Sequence, residues 1–115
     1  MNRHSMICDS WDVVVVPFPF VERSGAKRRP ALVLSRHGCN EKGHTIMTMV
    51  TTQAHEPWMG DTIVTELGAA GLHVPCIVRL KLFTLDNRLI LRKLGALAEP
   101  DRESVSEELR RCLPG

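Results

Sequence analysis

Residues 12–35 read DVVVVPFPFVERSGAKRRPALVLS, and no long helix fits them. Four consecutive valines crowd a helical turn with their branched Cβ atoms but pack well on a pleated surface, so residues 12–16 are expected to form a buried strand. Pro17 and Pro19 lack the N–H that a ladder uses, and are expected to stop that strand from pairing on both edges. Strand character resumes at 31–35, with Pro30 at the first position, where a missing donor does least harm. Between the two strands lie a Ser-Gly turn and the consecutive cations Lys27, Arg28 and Arg29. The segment reads either as a solvated hairpin loop or as an anion site carried by two rigid strands.

The rest of the chain continues in short strands. HTIMTMVTTQ (44–53) suits a half-buried strand after a polar turn at 36–43, and 62–65 suits a shorter one after the loop that carries Pro57 and Trp58. LGAAGL (67–72) is a turn or one helical turn. A longer strand is expected at 74–85, where the two-residue period sets Arg79, Lys81 and Phe83 on one face, and a last strand at 89–91, stopped near Gly95. Residues 100–113 form the clear helix, with Pro100 in the first turn, acids at its start, and Arg110 and Arg111 at its end. Val105, Leu109, Cys112 and Leu113 make its apolar stripe. With no repeat and no linker, the expectation is one domain over 1–115, its core at 12–97: mainly β with α, a small, partly open β-barrel with a C-terminal α-helix.

A chain of 115 residues buries about 65% of its unfolded surface, so it needs neither metal nor disulfide to hold together. Cys8, Cys39, Cys76 and Cys112 form no C-x-x-C pair and read as reduced, mostly buried thiols. His37, Cys39 and His44 stand close in sequence but fix no metal geometry, and no metal or other cofactor is expected. No apolar run spans a bilayer and the N-terminus lacks the apolar stretch of a signal peptide, so a cytoplasmic location away from membranes is expected. Net charge is only +2, but basic residues concentrate in 22–36 and 79–93 while acids concentrate near the C-terminus. Two basic segments that folding could bring together fit a polyanion partner.

In order along the chain, the blocks DVVVVPFPF, SGAKRRPALVLS, VTTQ, GD, AGLHVPCIVRLKLFTLD and LILRKLGAL resemble the PemK/MazF family of bacterial toxins from toxin-antitoxin pairs, especially its PemK-like branch. The resemblance implies an SH3-like barrel of about five to seven strands, a homodimer, and sequence-specific, metal-independent cleavage of single-stranded RNA. It also implies a cognate antitoxin that lays a flexible acidic segment across the RNA groove, with operator DNA contacted only through that antitoxin. Carried over by position, the catalytic arginine is Arg29, the catalytic threonine is Thr51 with Thr52 beside it, and Arg79 serves the same site. Three departures stand out: Trp11 replaces a usual glycine before the first strand, Cys76 replaces a serine, and Lys81 stands where some members carry an acid.

The chemistry fits these residue types. RNA carries its own nucleophile, so cleavage needs removal of the 2′-OH proton, stabilisation of charge on phosphorus and protonation of the leaving 5′-oxygen. A guanidinium at Arg29 holds two phosphate oxygens and stays charged. Thr51 can donate to phosphate or orient the nucleophile, whereas Lys81 is a base only if burial beside Arg29 or Arg79 lowers its pKa, and otherwise a phosphate contact. Phe18, Phe20, Phe83 and Trp58 are the stacking candidates, with Phe18 foremost, and Ser24, Lys27, Arg28, Thr52, Gln53 and Arg79 can touch backbone or base edges. The competing readings are a catalytically silent nucleic-acid-binding or regulatory module on the same barrel, and a toxin directed at gyrase. A Ser-His-Asp hydrolase is disfavoured because no G-x-S-x-G elbow occurs.

Overall fold

The computed structural model describes residues 6–18, 27–52 and 56–115. Strands β1 (Asp12–Pro17), β2 (Arg28–Val33), β3 (His44–Thr52), β4 (Thr62–Ile63), β5 (Cys76–Asp86) and β6 (Arg92–Ala96) form one curled antiparallel sheet in the order β4-β5-β3-β2-β1-β6. The valine run is unbroken because the sheet is covered on both faces. Val13 joins Leu32, Val50, Val78, Leu97 and Val105 in one core, while Val14 and Val16 join Ala31, Val33, Met47, Leu85 and Ile90 in another. Helix α3 (Glu99–Cys112) lays Val105 and Leu109 on the first core, and the one-turn helix α2 (Leu67–Ala70) adds Ala70.

Several expected boundaries move, each for a local reason. Pro17 stays in the ladder opposite Arg28, and β2 starts at Arg28 rather than at residue 31, which puts Pro30 inside the strand. The proline is tolerated because β3 pairs with β2 only from Ala31 onward, so Pro30 has a strand neighbour on one side alone. The polar turn at 36–43 contains a one-turn helix, α1 (His37–Asn40). No strand forms at 89–91, because Asp86 accepts the Arg88 backbone N–H and pulls Asn87–Leu89 into a 3-10 turn. There the buried Asn87 donates to Asn40 O and accepts from Thr45 Oγ1, and β6 begins only at Arg92. The last strand therefore includes Gly95 rather than stopping at it.

Only two of the four thiols are inside. Cys8 and Cys76 are buried, and that burial raises their pKa, while Cys39 and Cys112 are exposed. The α3 stripe accordingly packs through Val105 and Leu109 and ends before Cys112 and Leu113. One helix acid does more than face the dipole: buried Asp101 accepts from Thr65 N, Thr65 Oγ1 and Glu66 N, which ties α3 to the segment after β4.

Two backbone features are expensive to change. A Cβ on Gly95 would lie 2.4 Å from Ala69 O, since the α2 turn rests directly on the β6 backbone. Gly95→Ala should therefore cost about 2–3 kcal/mol and lower Tm by roughly 10 °C in a thermal melt, and an unchanged Tm would show that this contact yields freely. Trp11 is the one non-glycine residue among those described with positive φ, at 78°. Its N–H donates to Val33 O, its C=O accepts from Leu97 N, and its side chain packs on the first core.

Candidate nucleic-acid interface

The two foremost catalytic candidates lie on neighbouring strands, just past the last β2–β3 pair. Ala31 lies opposite Met49, and two residues further along each strand stand Arg29 and Thr51. Both continue the face that holds Ala31 and Met49 against the second core, because side chains two residues apart share a face. Next door on β5, Arg79 is opposite Met49 and Ile77 is opposite Thr51, so Arg29, Thr51 and Arg79 lie on three successive strands. Arg29 and Thr51 are half-buried, beyond the closely packed part of that face.

Arg79 is tightly held. Its Nε donates to Asp61 Oδ1 at 3.1 Å and its Nη2 to Asp61 Oδ2 at 3.0 Å, with a further 3.0 Å bond from Nη2 to Glu56 O. The two side chains are 12% and 13% exposed. Burial alone would raise the Asp61 pKa, but the bonds from Arg79 and from Trp58 N–H outweigh it and hold the carboxyl below 3.8. A carboxylate so low and so fully engaged is a poor base at neutral pH. The Arg79 guanidinium also sits 4.8 Å from the centre of the Trp58 ring, with Lys81 Nζ 5.3 Å from the same ring. Such contacts hold an aromatic plane in place, and the Trp58 side of this cluster is open, the residue being 44% exposed.

A bulge helps to present this pair. Thr48 is opposite Leu82 while its neighbour Met49 is opposite Arg79, which leaves Leu80 and Lys81 as extra residues on β5. The buried Thr48 hydroxyl bridges the gap by donating to Arg79 O and accepting from Lys81 N. Bulges commonly re-aim side chains beside functional sites.

The remaining candidates scatter. Phe18 is 1% exposed and meets Phe83 edge-on at 5.2 Å, so the foremost stacking candidate belongs to the second core; apolar burial won over exposure. Lys27 and Arg28 are exposed, and Lys27 O accepts from Phe18 N. Thr52 is exposed opposite Cys76, while Ser24, Gln53 and Phe20 lie outside the described residues. Among the described residues no three His, Cys, Asp or Glu side chains gather to hold a metal, and no helix is long and apolar enough to cross a membrane.

The family resemblance can be tested directly. Residues 9–113 match the family model described as PemK-like, MazF-like toxin of type II toxin-antitoxin systems. The chain belongs to the PemK/MazF toxin family. No curated protein sequence matches. Among solved structures, MazF from Deinococcus radiodurans is 23% identical with a TM-score of 0.69, over 90% of this chain and 94% of that one. A MazE–MazF complex from the same organism is 25% identical at TM-score 0.69, over 95% and 97%. An endoribonuclease in complex with its cognate antitoxin from a mycobacterial species is 14% identical at TM-score 0.72, over 94% and 98%.

Against the PemK/MazF pattern, two departures now have a physical reading. Trp11 occupies a backbone conformation that glycine adopts without strain, which accounts for the glycine usual at that position. With Lys81 at the other position, the carboxylate that faces Arg79 is Asp61 of the GD block, which reaches it from the loop before β4. Residue types in the sequence could not reveal that pairing, because 18 positions separate the partners.

Proposed function

We propose that this family member is the toxin of a type II toxin-antitoxin pair and cleaves single-stranded RNA at defined sequences, which halts translation and growth. The observation that carries the reading is that Arg29 and Thr51 lie on neighbouring strands, each two residues past the last β2–β3 pair, Ala31 with Met49, and on the face of that pair. The 2′-oxygen gives up its proton to solvent and attacks phosphorus, the bond from phosphorus to the 5′-oxygen breaks, and that oxygen takes a proton from solvent and leaves as a 5′-OH, with a 2′,3′-cyclic phosphate on the other fragment. Arg29 spreads the charge that builds on the phosphorane, and Thr51 donates to a phosphate oxygen or orients the nucleophile. Arg79, neutralised by Asp61, acts chiefly by positioning the ring of Trp58.

Incubation of the purified protein with a long RNA tests this. The expected result is fragments with 5′-OH ends, formed equally with and without chelator. Fragments with 5′-phosphate, or loss of activity on chelation, would overturn the mechanism, and inhibition of supercoiling with intact RNA would favour the gyrase-directed reading. The family's MazE–MazF assemblies support a cognate antitoxin as partner. A homodimer, a cytoplasmic location and operator binding only through the antitoxin complete the proposal.

Base stacking in this reading falls to Trp58, with Lys81 beside it as a phosphate contact. Trp58→Ala should weaken single-stranded RNA binding by about tenfold, in line with ~1–3 kcal/mol per stacked base, while Trp58→Phe retains most of it. Fluorescence anisotropy on the Thr51→Ala background measures this without cleavage; equal affinities for the alanine variant and its parent would remove Trp58 from the substrate path.

A further inference from the structure

Strand β1 lies between β2 and β6, and Val15 is opposite Pro30 on one side and Arg92 on the other. The two basic stretches of the sequence therefore meet across β1. An open concavity of about 480 Å³ results, lined by Val15, Arg28, Arg29, Pro30, Leu91 and Arg92. Arg28 and Arg92 are exposed and Arg29 is half-buried. By the two-residue period, Arg28 and Pro30 share the face of Leu32 and the first core, whereas Arg29 follows Ala31 onto the other face. The concavity thus begins at Arg29 and leads around the rim of the sheet, away from Thr51.

The charges here differ from their neighbours. Arg79 is paired with Asp61, Arg88 with Asp86, Lys93 with Asp12 and Arg111 with Glu108, while Arg28, Arg29 and Arg92 meet no acid among the described residues. Arg28 and Arg92 flank one hollow that Arg29 also lines, and with no acid paired to them among the described residues they favour an anion between them.

We propose that Arg28 and Arg92 form a phosphate subsite for the RNA backbone flanking the cleaved bond, so that the substrate crosses from the Thr51 side of Arg29 over the rim to β6. The subsite rests on the RNA reading above. Two features favour RNA phosphate over an acidic protein segment as occupant: Arg29, which acts on the scissile phosphate, lines the same hollow, and phosphates recur along a strand at a spacing that successive guanidiniums can take one by one. Arg92 is then a positioning residue that touches substrate away from the reacting atoms.

The test uses the intact chain carrying Thr51→Ala, which leaves every arginine in place. A labelled mixed-sequence single-stranded RNA of about 20 nucleotides is titrated between about 50 and 200 mM salt. Adding Arg92→Ala should weaken binding about five- to tenfold at the lower salt and reduce the slope of log affinity against log salt by about 0.7. Arg92→Lys should restore the slope, which a merely structural role would not do, and it keeps the test valid if the alanine variant folds poorly. In the cleavage-competent chain, Arg92→Ala should raise KM with kcat little changed.

Affinity within twofold of the parent with an unchanged slope would overturn the subsite. So would weakened binding of polyglutamate with RNA binding intact, which would assign the hollow to an acidic protein segment. Cleavage by the wild-type chain separates the two levels of inference: fragments formed with Arg92 irrelevant would sink the subsite alone, whereas neither cleavage nor binding of RNA would sink the functional reading with it.

Discussion

Arg29→Ala should lower kcat on single-stranded RNA by about a hundred- to thousandfold, the usual cost of losing one preorganised charge at a developing oxyanion. The effect should fall mainly on kcat, because the charge on the phosphorane exceeds that of the ground-state phosphodiester and the guanidinium stabilises the difference. Arg29→Lys should recover only a small part, since an ammonium keeps the charge but not the planar fork. Fold stability should change little: the side chain is half-buried on an open face and pairs with no acid among the described residues. Single-turnover cleavage measures the rate, and a thermal melt provides the control. An alanine variant that cuts within threefold of wild type would move the catalytic role elsewhere.

Asp61→Ala carries the second large expectation, this time in stability. Removing the carboxylate leaves Arg79, with a side chain 12% exposed, without its bidentate partner and leaves Trp58 N–H without its acceptor. Uncompensated burial of a charge costs about 3 kcal/mol or more, so Tm should fall by roughly 10 °C or more. The pH dependence follows from the lowered Asp61 pKa. A carboxyl lower in the folded than in the unfolded chain contributes its stability above its unfolded value near 3.8, and loses it as pH falls through the folded value. The difference between wild type and Asp61→Ala should therefore be full at neutral pH and shrink below about pH 4. A difference constant down to pH 2 would show that the pair contributes through packing alone. RNA binding should weaken as well, because Arg79 then no longer steadies the Trp58 ring.

Local chemistry was readable from the sequence where it was also decisive. The valine run, the strand at the centre of 44–53 and the helix after Pro100 formed as expected, because β-branching, periodicity and end charges all favour one outcome there. The family blocks pointed to Arg29 and Thr51, which lie on neighbouring strands just past the last β2–β3 pair, Ala31 with Met49. What escaped depended on contacts between distant segments. Strand character at 89–91 lost to Asn87, whose amide is claimed by Asn40 and Thr45 from elsewhere in the chain. Pro30 looked like a strand start until its missing neighbour on β3 made it tolerable inside. Phe18 could have lain on either surface, and its contacts in the second core, Phe83 65 positions away among them, decided for burial. The bulge at Thr48 likewise depends on a hydroxyl reaching across to β5, a contact that no local propensity encodes.

Trp11 sets a problem of handedness. Its backbone adopts a conformation that costs an L-residue roughly 1–2 kcal/mol, and its indole packs on the first core. Glycine removes the first difficulty and forfeits the packing; asparagine or aspartate eases the strain in part and fills far less of the interior. Position 11 thus asks for a side chain of this size on a Cα of mirror-image configuration, a demand that the genetic code can meet only by halves. The chain has taken the half that fills its interior, so its first strand is entered through a turn held in place by the surrounding hydrogen bonds against its own chirality.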